Sequence, residues 1–133
     1  MSLESWKQLY YPITAEEAAK LSSREIIQHS LTKWIGLRKT NLDRHGVWKS
    51  VVCLLTDGSD TPKLSITGST CSLCARYYDP SADEPASCAS CPLAQLGKSG
   101  TDCFKEYIHW RDTADPEPMI ALLERALQTA EAN

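Results

Sequence analysis

The segment CSLCARYYDPSADEPASCASCPLAQLGKSGTDC, residues 71–103, holds five of the six cysteines of this 133-residue chain, and its reading governs the rest. Cys71-Ser-Leu-Cys74 and Cys88-Ala-Ser-Cys91 are separated by 13 residues, and 11 more lie between Cys91 and Cys103. A CxxC turn lets two thiolates converge on one ion, and two such turns complete the tetrahedral sulfur shell that zinc accepts. Iron–sulfur clusters also take cysteine ligands, but at spacings that differ from these. The segment has few periodic apolar positions, so a metal is expected to stand in for a core there. A closed shell of four thiolates leaves no place for water or substrate, which makes the single expected zinc structural and not catalytic.

Five cysteines compete for the four places. Pro92 suits a first helical position and Gly97 a C′ position, so residues 92–96 read as a short helix with Cys91 at its N-terminus, where a thiolate is favoured. Cys71, Cys74 and Cys91 are therefore expected ligands. Cys88 is preferred to Cys103 as the fourth on paired spacing alone, with Cys103 kept as the alternative. Thioredoxin-like redox chemistry needs a strand before the CxxC and a helix after it inside a βαβ pattern, and no such pattern surrounds Cys71. Cys53, within Val51-Val52-Cys53-Leu54-Leu55, reads as a small buried hydrophobe.

Toward the amino terminus the sequence turns helical. Thr14 with Glu17, and Ser22 with Glu25, fit capping boxes, predicting a short helix from about residue 15 and a longer one from about 23. Ile27, Leu31, Trp34 and Ile35 form one apolar stripe on the longer helix. Asn41 to His45 reads as one further turn, with Gly46 as its left-handed cap. Trp48 to Leu55 then reads as a strand, Asp57-Gly58 as a turn and Lys63 to Thr67 as a second strand, which together predict a short hairpin. Beyond the cysteines, Pro116, Met119, Ile120, Leu123, Ala126 and Leu127 describe an amphipathic C-terminal helix with Asp115 as its N-cap. The expected architecture is a single α+β domain: a helical part over 14–46, a hairpin over 47–68, a cysteine-rich zinc-binding segment over 69–111 and a C-terminal helix over 115–131.

Length, with 42% hydrophobic and 23% charged residues, is that of one folded domain. The amino terminus has neither a basic nor an apolar leader region, and no window approaches the ~20 apolar residues of a membrane span. A cytoplasmic location with no membrane partner is expected, and in that reducing compartment paired cysteines read first as metal ligands. The net charge of −3 rules out an overall basic field. A local basic excess runs through Lys33, Arg38, Lys39, Arg44 and Lys49, with Trp34 and Trp48 interleaved, and it is the candidate nucleic-acid contact. Opposite in sign is the C-terminal stretch carrying Asp112, Asp115, Glu117, Glu124 and Glu131, which can attract that basic segment or dock on a basic partner. His29 lies about 200° from Ile27 on the helix and is expected in solvent, His45 is expected to cap a helix C-terminus, and His109 is not placed to share an ion with Cys103. No phosphate loop, HExxH or catalytic triad context is present, so no catalytic residue is assigned.

The order Cys71-x2-Cys74, Tyr77-Tyr78, Cys88-x2-Cys91-Pro92-Leu93, Gly97 and Cys103 resembles small cysteine-rich zinc-binding proteins carried by bacteriophages and prophages. Tyr10-Tyr11-Pro12, Ala15-Glu16-Glu17-Ala18 and His29-Ser30-Leu31-x2-Trp34-x-Gly36-Leu37 are similar to the amino-terminal half of some members, so the resemblance spans much of residues 10–105 and leaves out the final helix. It implies a phage origin, a bacterial host cytoplasm and a metal site drawn from Cys71, Cys74, Cys88, Cys91 and Cys103, and it implies no reaction. The expectation is a zinc-stabilised binding protein acting on a host macromolecule, a protein in the first place, with nucleic acid through the basic segment as the alternative.

Overall fold

Capping chemistry sets the amino-terminal helices. In the computed structural model, which describes residues 2–50, 53–60, 62–67, 70–77, 81, 91–93 and 104–132, the first helix is α1, Leu3–Tyr10. Ser2 and Ser5 exchange side-chain and backbone hydrogen bonds across its first turn, and the Leu3 N–H is taken by Asp57 Oδ2 at 2.8 Å. This helix lies outside the predicted helical part, because its box uses serine where glutamate or glutamine is usual. Thr14 and Glu17 form the expected box on α2, Ala15–Ala18. Ser22 caps α3, Ser23–Gly36, but the Glu25 carboxylate accepts from the Ser22 hydroxyl at 2.8 Å. A Schellman cap closes α4, Lys39–Arg44: Val47 N–H reaches Leu42 O at 3.0 Å and Gly46 N–H reaches Asp43 O at 3.2 Å. Gly46 takes φ +65°, the left-handed conformation that this cap requires.

The predicted strand from Trp48 to Leu55 is two strands. The chain reverses between β1, Trp48–Lys49, and β2, Leu54–Thr56. Ser50 N–H closes that turn on Leu54 O at 2.7 Å, and Cys53 stands at φ 60°. A residue in the left-handed region ends an extended run however apolar its neighbours are. The expected hairpin is β2 with β3, Leu64–Ser65, so the sheet is a three-stranded antiparallel meander in the order β1-β2-β3. Leu55 pairs with Lys49 on one side and Leu64 on the other. Then follow α5, Ser72–Tyr77, α6, Phe104–Thr113, and α7, Glu117–Ala132. Asp115 Oδ1 accepts the Glu117 N–H at 3.1 Å, so α7 begins where the proline and aspartate predicted, displaced by a residue or two.

Helices and a small antiparallel sheet make this an α+β fold, organised around α3. Between Ile26 and Leu37 only Gln28 is exposed, because α1, α2, α5 and α7 all pack on this helix. The expected stripe is only part of its buried surface: Ile27, Leu31 and Trp34 are buried as predicted, and so are Ile26, His29, Ser30, Lys33 and Gly36. One connected cluster of buried side chains takes in Leu3 and Trp6 of α1, Leu55 of β2, Leu73 of α5, Trp110 of α6, and Met119, Ile120, Leu123 and Ala126 of α7. Trp34 meets the Trp110 ring edge-on with centroids 5.3 Å apart, and Tyr107 donates its hydroxyl to Ile66 O at 2.7 Å, which ties α6 to the strand after it is crossed by β3. No helix among the described residues is long and apolar enough to cross a membrane.

Two backbone positions give opposite stability predictions. A Cβ on Gly36 would lie 2.6 Å from Tyr10 Cβ and 2.8 Å from Tyr10 Cδ2, and Gly36 O also receives the Trp6 indole N–H at 2.8 Å. Gly36→Ala should therefore cost about 2–3 kcal/mol by chemical denaturation, since α1 must move off α3. Ala114 is exposed at φ 63°, and Ala114→Gly should raise stability by about 1 kcal/mol in the same assay, because glycine removes the left-handed penalty.

Candidate metal centre

Of the expected ligands, the described residues include Cys71, Cys74 and Cys91, while Cys88 and Cys103 lie outside them. Cys71 and Cys74 stand together. Cys71 precedes the first turn of α5, its carbonyl takes the Ala75 N–H at 3.0 Å, and its sulfur accepts from the Cys74 thiol and from the backbone N–H groups of Cys74 and Leu73. Those donors, with the Lys33 charge, hold the Cys71 thiol down to about 5 against the upward push of burial. The turn thus presents two sulfurs, one already a thiolate at neutral pH, which is the donor chemistry zinc requires of half a site.

Cys91 is buried within the core cluster. Pro92 and Leu93 are helical, as the proline predicted, and the rest of the expected 92–96 helix lies outside the described residues. Among the described residues no three His, Cys, Asp or Glu side chains form a group that could hold a metal. None of Cys53, Cys71, Cys74 and Cys91 is in a disulfide. Cys53 is buried in the core, as its apolar neighbours indicate. Two open grooves of about 270 and 240 Å³ flank the Pro12 turn, and neither is lined by a cysteine.

The basic segment is spent largely on the fold. Lys33 is a correction to the nucleic-acid candidate: it is 1% exposed, with Nζ donating to Thr70 O at 2.8 Å, so it offers no surface ammonium to a phosphate. Arg38 makes a bidentate pair with Glu117 at 2.9 and 3.0 Å. Lys39 pairs with Asp43 at 2.7 Å, Lys49 lies over the Trp110 ring with its Nζ 5.5 Å from the centroid, and Arg44 is exposed.

His29 is also corrected, from solvent to core. Its Nε2 lies 2.9 Å from Ile13 O, a contact that assigns the proton to Nε2 because a carbonyl can only accept. The buried Nδ1 then carries a bare lone pair and has no hydrogen-bond partner. His45 sits at the C-cap of α4 as expected, but it is buried, with Nδ1 2.8 Å from Ser5 Oγ. His109 pairs with Asp115 at 3.0 Å. Sequence reasoning missed the buried role of Lys33; the signal was a second stripe, Ile26, Ser30, Lys33 and Leu37, at helical spacing beside the one that was read.

No protein-family model matches the chain, and neither a curated protein nor a solved structure matches it.

Burial pushes the His29 pKa below its ordinary value, with the nearby Lys33 charge acting in the same direction. The unfolded chain therefore binds a proton that the fold resists. His29 contributes its full stability above about pH 6.5 and loses it as the pH falls from there toward the depressed folded value. Urea denaturation at pH 7.5 and pH 5.5 should show a smaller acid loss in His29→Gln than in the parent, with a difference in slope of at most about 1.4 kcal/mol per pH unit. Equal slopes would place the imidazole in solvent.

Proposed function

We propose that this chain is a phage-type, zinc-stapled binding protein that works in a bacterial host cytoplasm by engaging a host macromolecule, a protein, without catalysing a reaction. The observation that carries the reading is the Cys71–Cys74 turn, whose amide-supported sulfurs suit a tetrahedral thiolate site. Cys91 and either Cys88 or Cys103 complete the shell in this reading, and zinc, when bound, supplies folding free energy to a segment with few apolar positions. A filled shell has no open position for substrate, and this is the reason for placing the protein among binders.

Support for a protein partner comes from the sheet. β1 is an edge strand, and Trp48 on it is 50% exposed although it is one of the largest apolar side chains of the chain. Exposed tryptophan on a strand edge is a common anchor for a protein partner. A nucleic-acid reading draws on less, since Lys33 is buried and Arg38 is held by Glu117.

Metal content decides the first part. Protein purified without added metal should carry about one zinc per chain, and a strong chelator should lower its melting temperature and remove structure around the cysteines while the amino-terminal helices persist. Cys71→Ser should melt like the chelated parent and be insensitive to chelator. A metal-free parent with freely reactive thiols would overturn the staple. For the nucleic-acid reading, a labelled duplex or single strand should show no shift at low salt, and a shift that weakens steeply with salt would restore it.

A further inference from the structure

Lys33 is 1% exposed, and burying an ammonium is costly unless its surroundings compensate the charge. Its Nζ donates to the Thr70 carbonyl oxygen at 2.8 Å and lies 5.9 Å from the Trp34 ring centroid. That carbonyl belongs to the peptide leading into Cys71, so covalent geometry brings the ammonium within roughly 6 Å of Cys71 Cα. On the other side of Cys71, the buried Ser72 hydroxyl donates to Ile26 O at 2.9 Å. Helix α3 therefore grips the chain immediately before and after the first cysteine of the turn. A neutral amide would satisfy the Thr70 carbonyl equally well; the full charge of lysine needs another reason.

We propose that Lys33 is the built-in counter-charge of the Cys71–Cys74 metal site, a buried cation on α3 that favours the zinc-loaded thiolate centre over the empty one. The inference rests on the zinc reading of the turn and adds to it the residue that sets how tightly the metal is held. A four-thiolate zinc centre carries a net charge of about −2, whereas free thiols are mostly protonated at neutral pH. A fixed positive charge beside the site thus stabilises the loaded state more than the empty one, and in a low-dielectric interior its effect exceeds that of a surface lysine. The Lys33 charge already acts on the Cys71 thiol in the metal-free chain, in the direction that favours thiolate.

The test compares the parent with Lys33→Gln, which keeps a donor for Thr70 but loses the charge, and with Lys33→Met, which loses both. Zinc affinity is read at neutral pH by competition with a chromophoric chelator, and cobalt(II) serves as an optical probe of the sulfurs. Both variants should bind zinc at least about tenfold more weakly, the scale expected when a partner just outside the ligand shell is removed. Their sulfur-to-cobalt charge-transfer band should move to lower energy, because a nearby cation holds electrons on sulfur. Parent-like affinity and spectrum in Lys33→Gln would overturn the proposal, as would a loss confined to Lys33→Met, which would assign the effect to the hydrogen bond. Should both neutral variants fail to fold, Lys33→Arg decides: affinity within about threefold of the parent is expected, and a tenfold loss overturns the proposal. A parent that takes up neither zinc nor cobalt would overturn the zinc reading together with this one, and only that result touches both.

Discussion

A helix enclosed by other elements has no solvent to satisfy its polar groups, and in this fold that helix is α3. Each polar atom that meets it must find a partner inside the protein or cost the stability of an unmade hydrogen bond. The partners come from separate parts of the chain. His29 reaches the Ile13 carbonyl in the turn before α2, and Lys33 reaches the Thr70 carbonyl before α5. In the other direction, Trp6 of α1 donates to Gly36 O and Ser72 of α5 donates to Ile26 O. Each bond joins α3 to a segment that also contributes apolar area to the core, so specificity of docking and burial are supplied by the same neighbours. An apolar contact tolerates sliding by a fraction of a turn, whereas a buried donor with one available carbonyl does not.

The charge distribution follows from the same enclosure. The sequence shows a basic segment and an acidic C-terminal stretch, and the two meet: Arg38, just past the end of α3, grips Glu117 at the start of α7. The pair is half exposed and worth little by itself. Its placement at a helix N-terminus, where a carboxylate is favourable, makes the geometry consistent with the start of α7. Lys49, which a linear reading places in the same basic cluster, belongs to the aromatic group around Trp110. A run of cations in sequence thus becomes a buried group, an ion pair, a helix-surface pair and a cation–π contact, and little of it remains as a field.

What the sequence made legible was local chemistry with a single solution. The Thr14 cap, the Gly46 left-handed cap and the Asp115-Pro116 start of α7 each depend on residues within one turn of one another. The helices before and after the sheet, and the α+β class, follow from those markers. Legibility failed where tertiary enclosure overrode local rules. One stripe was visible on α3, and the burial of His29 and Lys33 required knowing that α5 and α7 would cover the remaining faces. The reversal at Cys53 was hidden because a left-handed cysteine has no compositional marker, unlike a left-handed glycine. For the metal centre, spacing pointed to the sulfurs of Cys71 and Cys74, and the structure adds the amides and the lysine charge around them.

The enclosure of α3 also carries a consequence for the order of assembly. Its buried hydrogen bonds close loops of 30, 37 and 46 residues, and the Arg38–Glu117 pair closes one of 79. During synthesis α3 is complete long before α5 and α7, so Trp34 and Leu31 leave the ribosome without the helices that later hide them. Most loop-closure entropy must then be met before the central helix gains its contacts, a topology associated with slow folding and an exposed apolar surface in the nascent chain. The two capping arrangements at Thr14 and Ser22 act on that interval, because they need only residues already made and hold the amino-terminal helices in register until their cover arrives.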